Sequence, residues 1–219
     1  QDIAKVADAD LVFANGAGLE AFLEVLLESA GASEKIVHVS EGIDLRSFTG
    51  QEKSDDEHAV EEAEEEHGEE EHHDHEGADP HTWTDPNNVL VWVENIASAL
   101  KQQDPSHGAA YAANAETYSS ALKSLDAWVR EQTAQVPEAD RKIVTDHALL
   151  GYFADEYGFT QVGALIPGYS TLAEPTAKEL AELEDAVREL GVKAIFVGNT
   201  VNPALAERVT EDTGASLVY

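Results

Sequence analysis

Hydrophobic and polar positions alternate between two patterns along the chain. Short runs of β-branched and aromatic residues are followed by longer stretches with apolar residues at helical spacing. Leu11, Val12 and Phe13 mark a strand over 10–15. Leu19, Phe22, Leu23 and Leu26 lie on one face of a helix over 19–30, which Gly31 stops. Ile36, Val37 and Val39 mark a strand over 35–40. Further on, Asp85 caps a helix with Pro86 at its first position, continued by Leu90, Val91, Val93, Ile96 and Leu100. From 106 to 135 there is no Pro and no Gly after Gly108, and Tyr111, Ala115, Tyr118, Leu122, Leu125 and Val129 recur at helical spacing. A helix of about 28 residues spans roughly 40 Å. That is long for a crossover within one domain and natural for a strut between two.

The second half repeats the alternation. It reads as a strand over 142–145, a helix over 148–157 and a strand over 160–165. A Thr176–Glu179 capping box then opens a helix that Gly191 ends, followed by a strand over 194–197, a helix over 203–213 and a strand starting at 216. Strands alternating with helices predict an α/β fold with a mainly parallel sheet in each half. The predicted units are an N-terminal α/β lobe over 1–105, a linking helix over 106–136 and an incomplete C-terminal lobe over 137–219. Gln1 is not a Met, no Met occurs anywhere, and Leu217-Val218-Tyr219 reads as an unfinished strand. The chain is therefore expected to belong to a longer protein, with any signal or lipid-anchor segment lying ahead of Gln1.

One stretch breaks the pattern. Residues 52–76 hold fourteen Asp or Glu, five His (His58, His67, His72, His73, His75) and a single Lys. Carboxylates and imidazoles without fixed geometry suit loose, exchangeable binding of divalent metal, and no packed core can be built from them. Three readings stand for this loop (52–77): a collector that passes zinc to a fixed site, a sensor that alters delivery, and a plain surface loop with incidental metal affinity. The tract carries −13 of the formal charge of −31, so the remainder is still −18. Such a field repels nucleic acid and anionic membrane and attracts cations. With no Cys in the chain, a zinc site must use His, Asp or Glu.

Two further histidines sit where a fixed ligand could. His81 lies between Pro80 and the Asp85-Pro86 helix start, a stiffened loop; it reads as a ligand or as a loop histidine beside a packed Trp83. His147 lies at the carboxyl end of the 142–145 strand, where open α/β sheets bind ligands. It reads as a ligand or as a bystander behind an Asp146 N-cap.

These residues fall within motifs that resemble a known family. Asp79-Pro80-His81-Thr82-Trp83-Thr84-Asp85-Pro86 is similar to the first conserved block of the zinc- and manganese-binding solute-binding proteins of ABC importers. Thr145-Asp146-His147, with Gly151-Tyr152-Phe153 and Glu156-Tyr157-Gly158-Phe159, resembles the second. Ala9 to Gly16 with Leu19-Glu20 resembles the early strand–helix, and Glu174-Pro175 and Ala194-Ile195-Phe196-Val197 follow in the family's order. The resemblance covers essentially the whole chain. It implies two Rossmann-like α/β lobes joined by one long rigid helix, with the metal site between them. It also implies that His81 and His147 are the ligands from the two lobes, and that the tract histidines are weak accessory sites of the kind zinc-transporting members carry. Family members have another His upstream of the position matching Gln1, and many have an acid downstream of that matching Tyr219, so the site in this chain is expected to be half complete. Gly198 stands where many relatives place Glu.

The function so implied is extracytoplasmic capture of Zn2+ and its delivery to an ABC permease. The protein is expected to be monomeric, to carry out no covalent chemistry, and to be periplasmic or lipid-anchored on the outer face of the cytoplasmic membrane. Each ligating histidine should donate its other ring N–H to an acceptor, expected among Asp79, Asp146 and Glu174. A manganese carrier is the nearest alternative, since manganese prefers more carboxylate oxygen. A zinc hydrolase is a more distant one. Gly16-Ala17-Gly18-Leu19-Glu20-Ala21, with Glu41 about 20 residues on, also fits a dinucleotide-binding turn.

Overall fold

A computed structural model of the chain describes residues 2–47, 77–166, 175–198 and 203–219. The tract over 52–76, with its five histidines, and Glu174 lie outside the described residues. The chain opens with helix α1 (Asp2–Asp8), followed by strand β1 (Val12–Ala14). A 3-10 turn over Ala21–Leu23 leads into helix α2 (Glu24–Ser29), and β2 (Ile36–His38) pairs parallel with β1. Next come helices α3 (Pro86–Gln103) and α4 (Gly108–Thr133). The second half is β3 (Lys142–Thr145), α5 (Gly151–Tyr157), β4 (Thr160–Ala164), α6 (Ala177–Leu190), β5 (Ala194–Phe196), α7 (Pro203–Thr213) and β6 (Ser216–Val218). Its sheet runs β4-β3-β5-β6, all neighbours parallel. This is the α/β class, with parallel sheets and one long helix.

Local signals set most boundaries. The Asp85 carboxylate accepts the Asn87 amide at 2.8 Å and starts α3. Thr176 and Glu179 close a reciprocal capping box at the head of α6, and Gly191 ends that helix at φ +67. Its apolar face meets the sheet: Leu183 and Val187 of α6 bury with Val144 and Ile195 of the strands and with Ala206 and Val209 of α7.

Three expectations need correction. The helix expected over 19–30 begins only at Ala21, as a 3-10 turn, and Phe22 is 81% exposed while Leu27 is buried. The helix expected from 148 begins at Gly151, because the chain first turns at His147, whose carbonyl accepts Thr145 Oγ1 at 2.5 Å and the Leu149 amide at 2.6 Å. On α4 the inward stripe passes through Ser119 and Asp126, leaving Tyr118 and Leu125 exposed. Asp126 turns inward because it has partners there. Tyr157 donates to it at 3.0 Å, Arg130 Nε at 2.9 Å and Asn87 at 3.3 Å. Asn87 also reaches Asp85 and Glu156, so one polar junction ties α3, α4 and α5 together. At 26 residues, α4 is about 39 Å long, and it packs along α3.

Candidate metal centre

His81 and His147 are 66 residues apart in sequence, yet their Nε2 atoms are 3.2 Å apart. Each ring is aimed by a carboxylate just upstream of it in the chain. Asp79 Oδ1 accepts both the His81 amide at 3.0 Å and His81 Nδ1 at 2.8 Å. Asp146 Oδ1 accepts the His147 amide at 2.7 Å and His147 Nδ1 at 2.6 Å. Asp79, His81 and Asp146 are buried, and the His147 side chain is 12% exposed. Of the expected acceptors, Asp79 and Asp146 therefore take the role.

The surrounding chain fixes this arrangement. Asn15, at the carboxyl end of β1, donates to the Pro80 carbonyl at 3.0 Å. Thr84 Oγ1 donates to the His81 carbonyl at 2.9 Å, and the Trp83 ring lies edge-on to His81 at 5.2 Å. Trp83 remains 38% exposed, so a fully packed Trp is not what holds the histidine. The amide of Gly198 donates to Asp146 Oδ2 at 2.7 Å. The carboxylate behind His147 is thus supported by main chain. Burial alone would raise the Asp146 carboxyl, but the bonds from His147 and Gly198 outweigh it and hold it below the ordinary carboxylate range.

The chemistry follows from these contacts. A carboxylate only accepts, so each Nδ1 carries a proton, and in a neutral ring Nε2 then presents a lone pair. Two lone pairs at 3.2 Å repel unless a proton or cation sits with them. Zinc–nitrogen bonds of about 2.0–2.1 Å at a tetrahedral angle put two ligating nitrogens about 3.3 Å apart. The observed spacing fits a shared metal. A right-angled pair on slightly longer bonds has nearly the same spacing, so this distance alone does not choose the metal. Among the described residues no group of three or more His, Asp or Glu gathers in a metal-binding arrangement.

Sequence reasoning missed Arg46 and Tyr152 as supports for this site. Arg46 accepts the Asp79 amide on its carbonyl at 2.7 Å, and Tyr152 donates its hydroxyl to the Asp79 carbonyl at 2.8 Å. No local signal marks Arg46. Tyr152 stood only within a motif. The dinucleotide alternative fails on geometry: the Glu20 carboxylate accepts the amides of Asn15 at 2.6 Å and Gly16 at 3.0 Å, filling the cradle a pyrophosphate needs.

The chain is similar to known proteins along its whole length. Residues 1–219 match the family model described as zinc-uptake complex component A, periplasmic. The chain is 34% identical over 216 residues to the manganese-binding lipoprotein MntA of Halalkalibacterium halodurans, covering 99% of this chain and 63% of that protein. It is 35% identical over 216 residues to the high-affinity zinc uptake system protein ZnuA of Bacillus subtilis, covering 98% and 63%. A crystal structure of ZnuA superposes with a TM-score of 0.79 at 24% identity, covering all of this chain and 74% of that one, a likeness of fold. The chain thus spans less than two thirds of the length of these two curated relatives.

Proposed function

This chain belongs to the zinc-uptake complex component A family, and we propose that it captures a divalent transition metal outside the cytoplasm for an ABC importer. The carrying observation is the His81–His147 pair, with both Nε2 atoms converging at 3.2 Å and both Nδ1 atoms tied to carboxylates. The family is one of uptake components, and the proposed action is capture and release without covalent chemistry. Its partner is the membrane permease, and the place is the periplasm or the outer membrane face, in keeping with the family description and with relatives named as lipoproteins.

In this reading the lobe over 1–105 brings His81, the lobe over 137–219 brings His147, and the helix over 106–136 sets their separation. The protein acts as a monomer. The metal is zinc: neutral imidazoles suit it, and the tract supplies five more as a weak collecting or sensing surface. Relatives of nearly equal identity are named for manganese and for zinc, so the choice of metal needs its own test.

That test is a competitive titration with zinc and with manganese, on the full-length protein and on a variant lacking 52–76, each with and without His81→Ala or His147→Ala. A tight site should survive the deletion and weaken by orders of magnitude with either histidine change. Loss of all binding with the tract would overturn the site. Tighter binding of manganese than zinc would overturn the metal.

A further inference from the structure

We propose that Arg46 is a positioning residue for the His81 imidazole, acting through Asp79. The proposal rests on the reading of His81 as a ligand. Arg46 joins the loop that carries Asp79 to helix α5 through three contacts. Its carbonyl accepts the Asp79 amide at 2.7 Å, its own amide donates to the Tyr152 hydroxyl at 3.1 Å, and its guanidinium pairs with Asp155 on α5. The guanidinium also lies over the Tyr152 ring, 5.8 Å from its centre. Tyr152 closes the ring of contacts by donating to the Asp79 carbonyl.

The informative atom is Arg46 Nε. It is buried and has no hydrogen-bond partner, and Asp79 Oδ2 stands 3.8 Å from it. A buried donor left unpaired is costly, and closing that gap by about 0.9 Å would make a charge-assisted bond. Gly151 is what lets the start of α5 sit over this pair. A Cβ there would lie 2.7 Å from Asp79 Oδ2 and 2.8 Å from Arg46 Nε.

The consequence concerns which nitrogen of His81 faces His147. Asp79 Oδ1 fixes the Nδ1–H tautomer of His81 only while the carboxylate keeps its orientation. With Arg46 against Oδ2, turning the carboxylate away from His81 separates it from a cation. Without Arg46 that restraint is gone, and the Nε2–H tautomer, which cannot ligate through Nε2, gains population. Since Asp155, Tyr152 and Gly151 all lie on α5, the aim of His81 depends on α5 staying seated against the loop that carries Asp79.

The test uses the metal-free chain labelled with 15N-histidine, in which long-range proton–nitrogen correlations report the tautomer of each ring. His81→Ala identifies the His81 signals. Arg46→Gln should move them from the Nδ1–H pattern toward a mixture and weaken zinc binding about tenfold, the lower end for a residue supporting a ligand. Arg46→Lys, which keeps the charge, should recover part of both effects, and Gly151→Ala should reproduce them with Arg46 present. Unmoved His81 signals in Arg46→Gln overturn the proposal, even where melting temperature or affinity falls. A parent chain whose zinc binding ignores His81→Ala sinks the ligand reading instead, while the tautomer comparison still decides the role of Arg46.

Discussion

Replacing Asp146 by Asn tests the site with almost no change of volume. Asp146 is 2% exposed and accepts three hydrogen bonds, from the His147 amide and Nδ1 on Oδ1 and from the Gly198 amide on Oδ2. An asparagine has one acceptor oxygen. Whichever way its amide turns, its NH2 faces a donor: the Gly198 amide in one orientation, both His147 groups in the other. A buried donor left unsatisfied costs about 1–3 kcal/mol, and a bond to a charged group is worth about 1.5–3 kcal/mol. These figures overlap, so the expected loss of stability is about 2–4 kcal/mol, a large part of the roughly 5–15 kcal/mol of a typical domain. In urea unfolding followed by circular dichroism, the midpoint should fall with little change in slope. Zinc affinity should fall about 10–100-fold, because His147 loses the group that aims it. A stability change under about 1 kcal/mol together with unaltered zinc binding would refute the reasoning, since Asp146 would then be neither a necessary acceptor nor the restraint on His147.

Two further changes probe the frame around the site. Gly16 has φ +81, and a Cβ there would lie 2.7 Å from Ser40 Oγ, so Gly16→Ala should add a clash to a backbone cost of about 1–2 kcal/mol. Gly31→Ala, at φ +65 with open space around it, should show the backbone cost alone; equal melting temperatures for the two variants would contradict this. Asp85→Asn keeps an N-cap of equal quality while removing a charge. Burial raises the Asp85 carboxyl, its bonds from Asn87 oppose this, and the charges of Glu156 and Asp126 add to the rise, though both pair with Arg130. A raised folded value means that ionised Asp85 burdens the fold at neutral pH. Asp85→Asn should therefore be at least as stable as the parent at pH 7, and any advantage should vanish as pH falls through the raised value toward 3.8. Urea midpoints at neutral and acid pH check it, and an advantage that grows on acidification would reverse the sign.

How much was legible in the sequence depends on how local the determining physics is. The Thr176–Glu179 box, the Asp85-Pro86 start and the Gly191 stop each act within one helical turn, and all three stand as read. Helix α1 gave no signal because it buries almost nothing, with Ile3 itself 48% exposed. The face of α4 was misread for a different reason. Periodicity allowed Leu125 or Asp126 on the inner stripe, and hydrophobicity favoured Leu125. The choice went to Asp126 because Arg130, Tyr157 and Asn87 meet it there, two of them from other helices.

The site divides along the same line. The sequence by itself determined the α/β class and the element order from β1 onward, and it marked the two candidate histidines, because a stiff Pro-flanked loop and a strand's carboxyl end are marked by the residues within them. Only the tertiary structure decided that Asp79 and Asp146 aim the two rings, that Gly198 backs Asp146, that Arg46 and α5 grip the Asp79 loop, and that the Nε2 atoms meet at 3.2 Å. The physical reason is range. A cap or a periodic face acts over a few residues, whereas the meeting of two side chains 66 residues apart is set by where two distant turns come to rest once helices and sheets have packed.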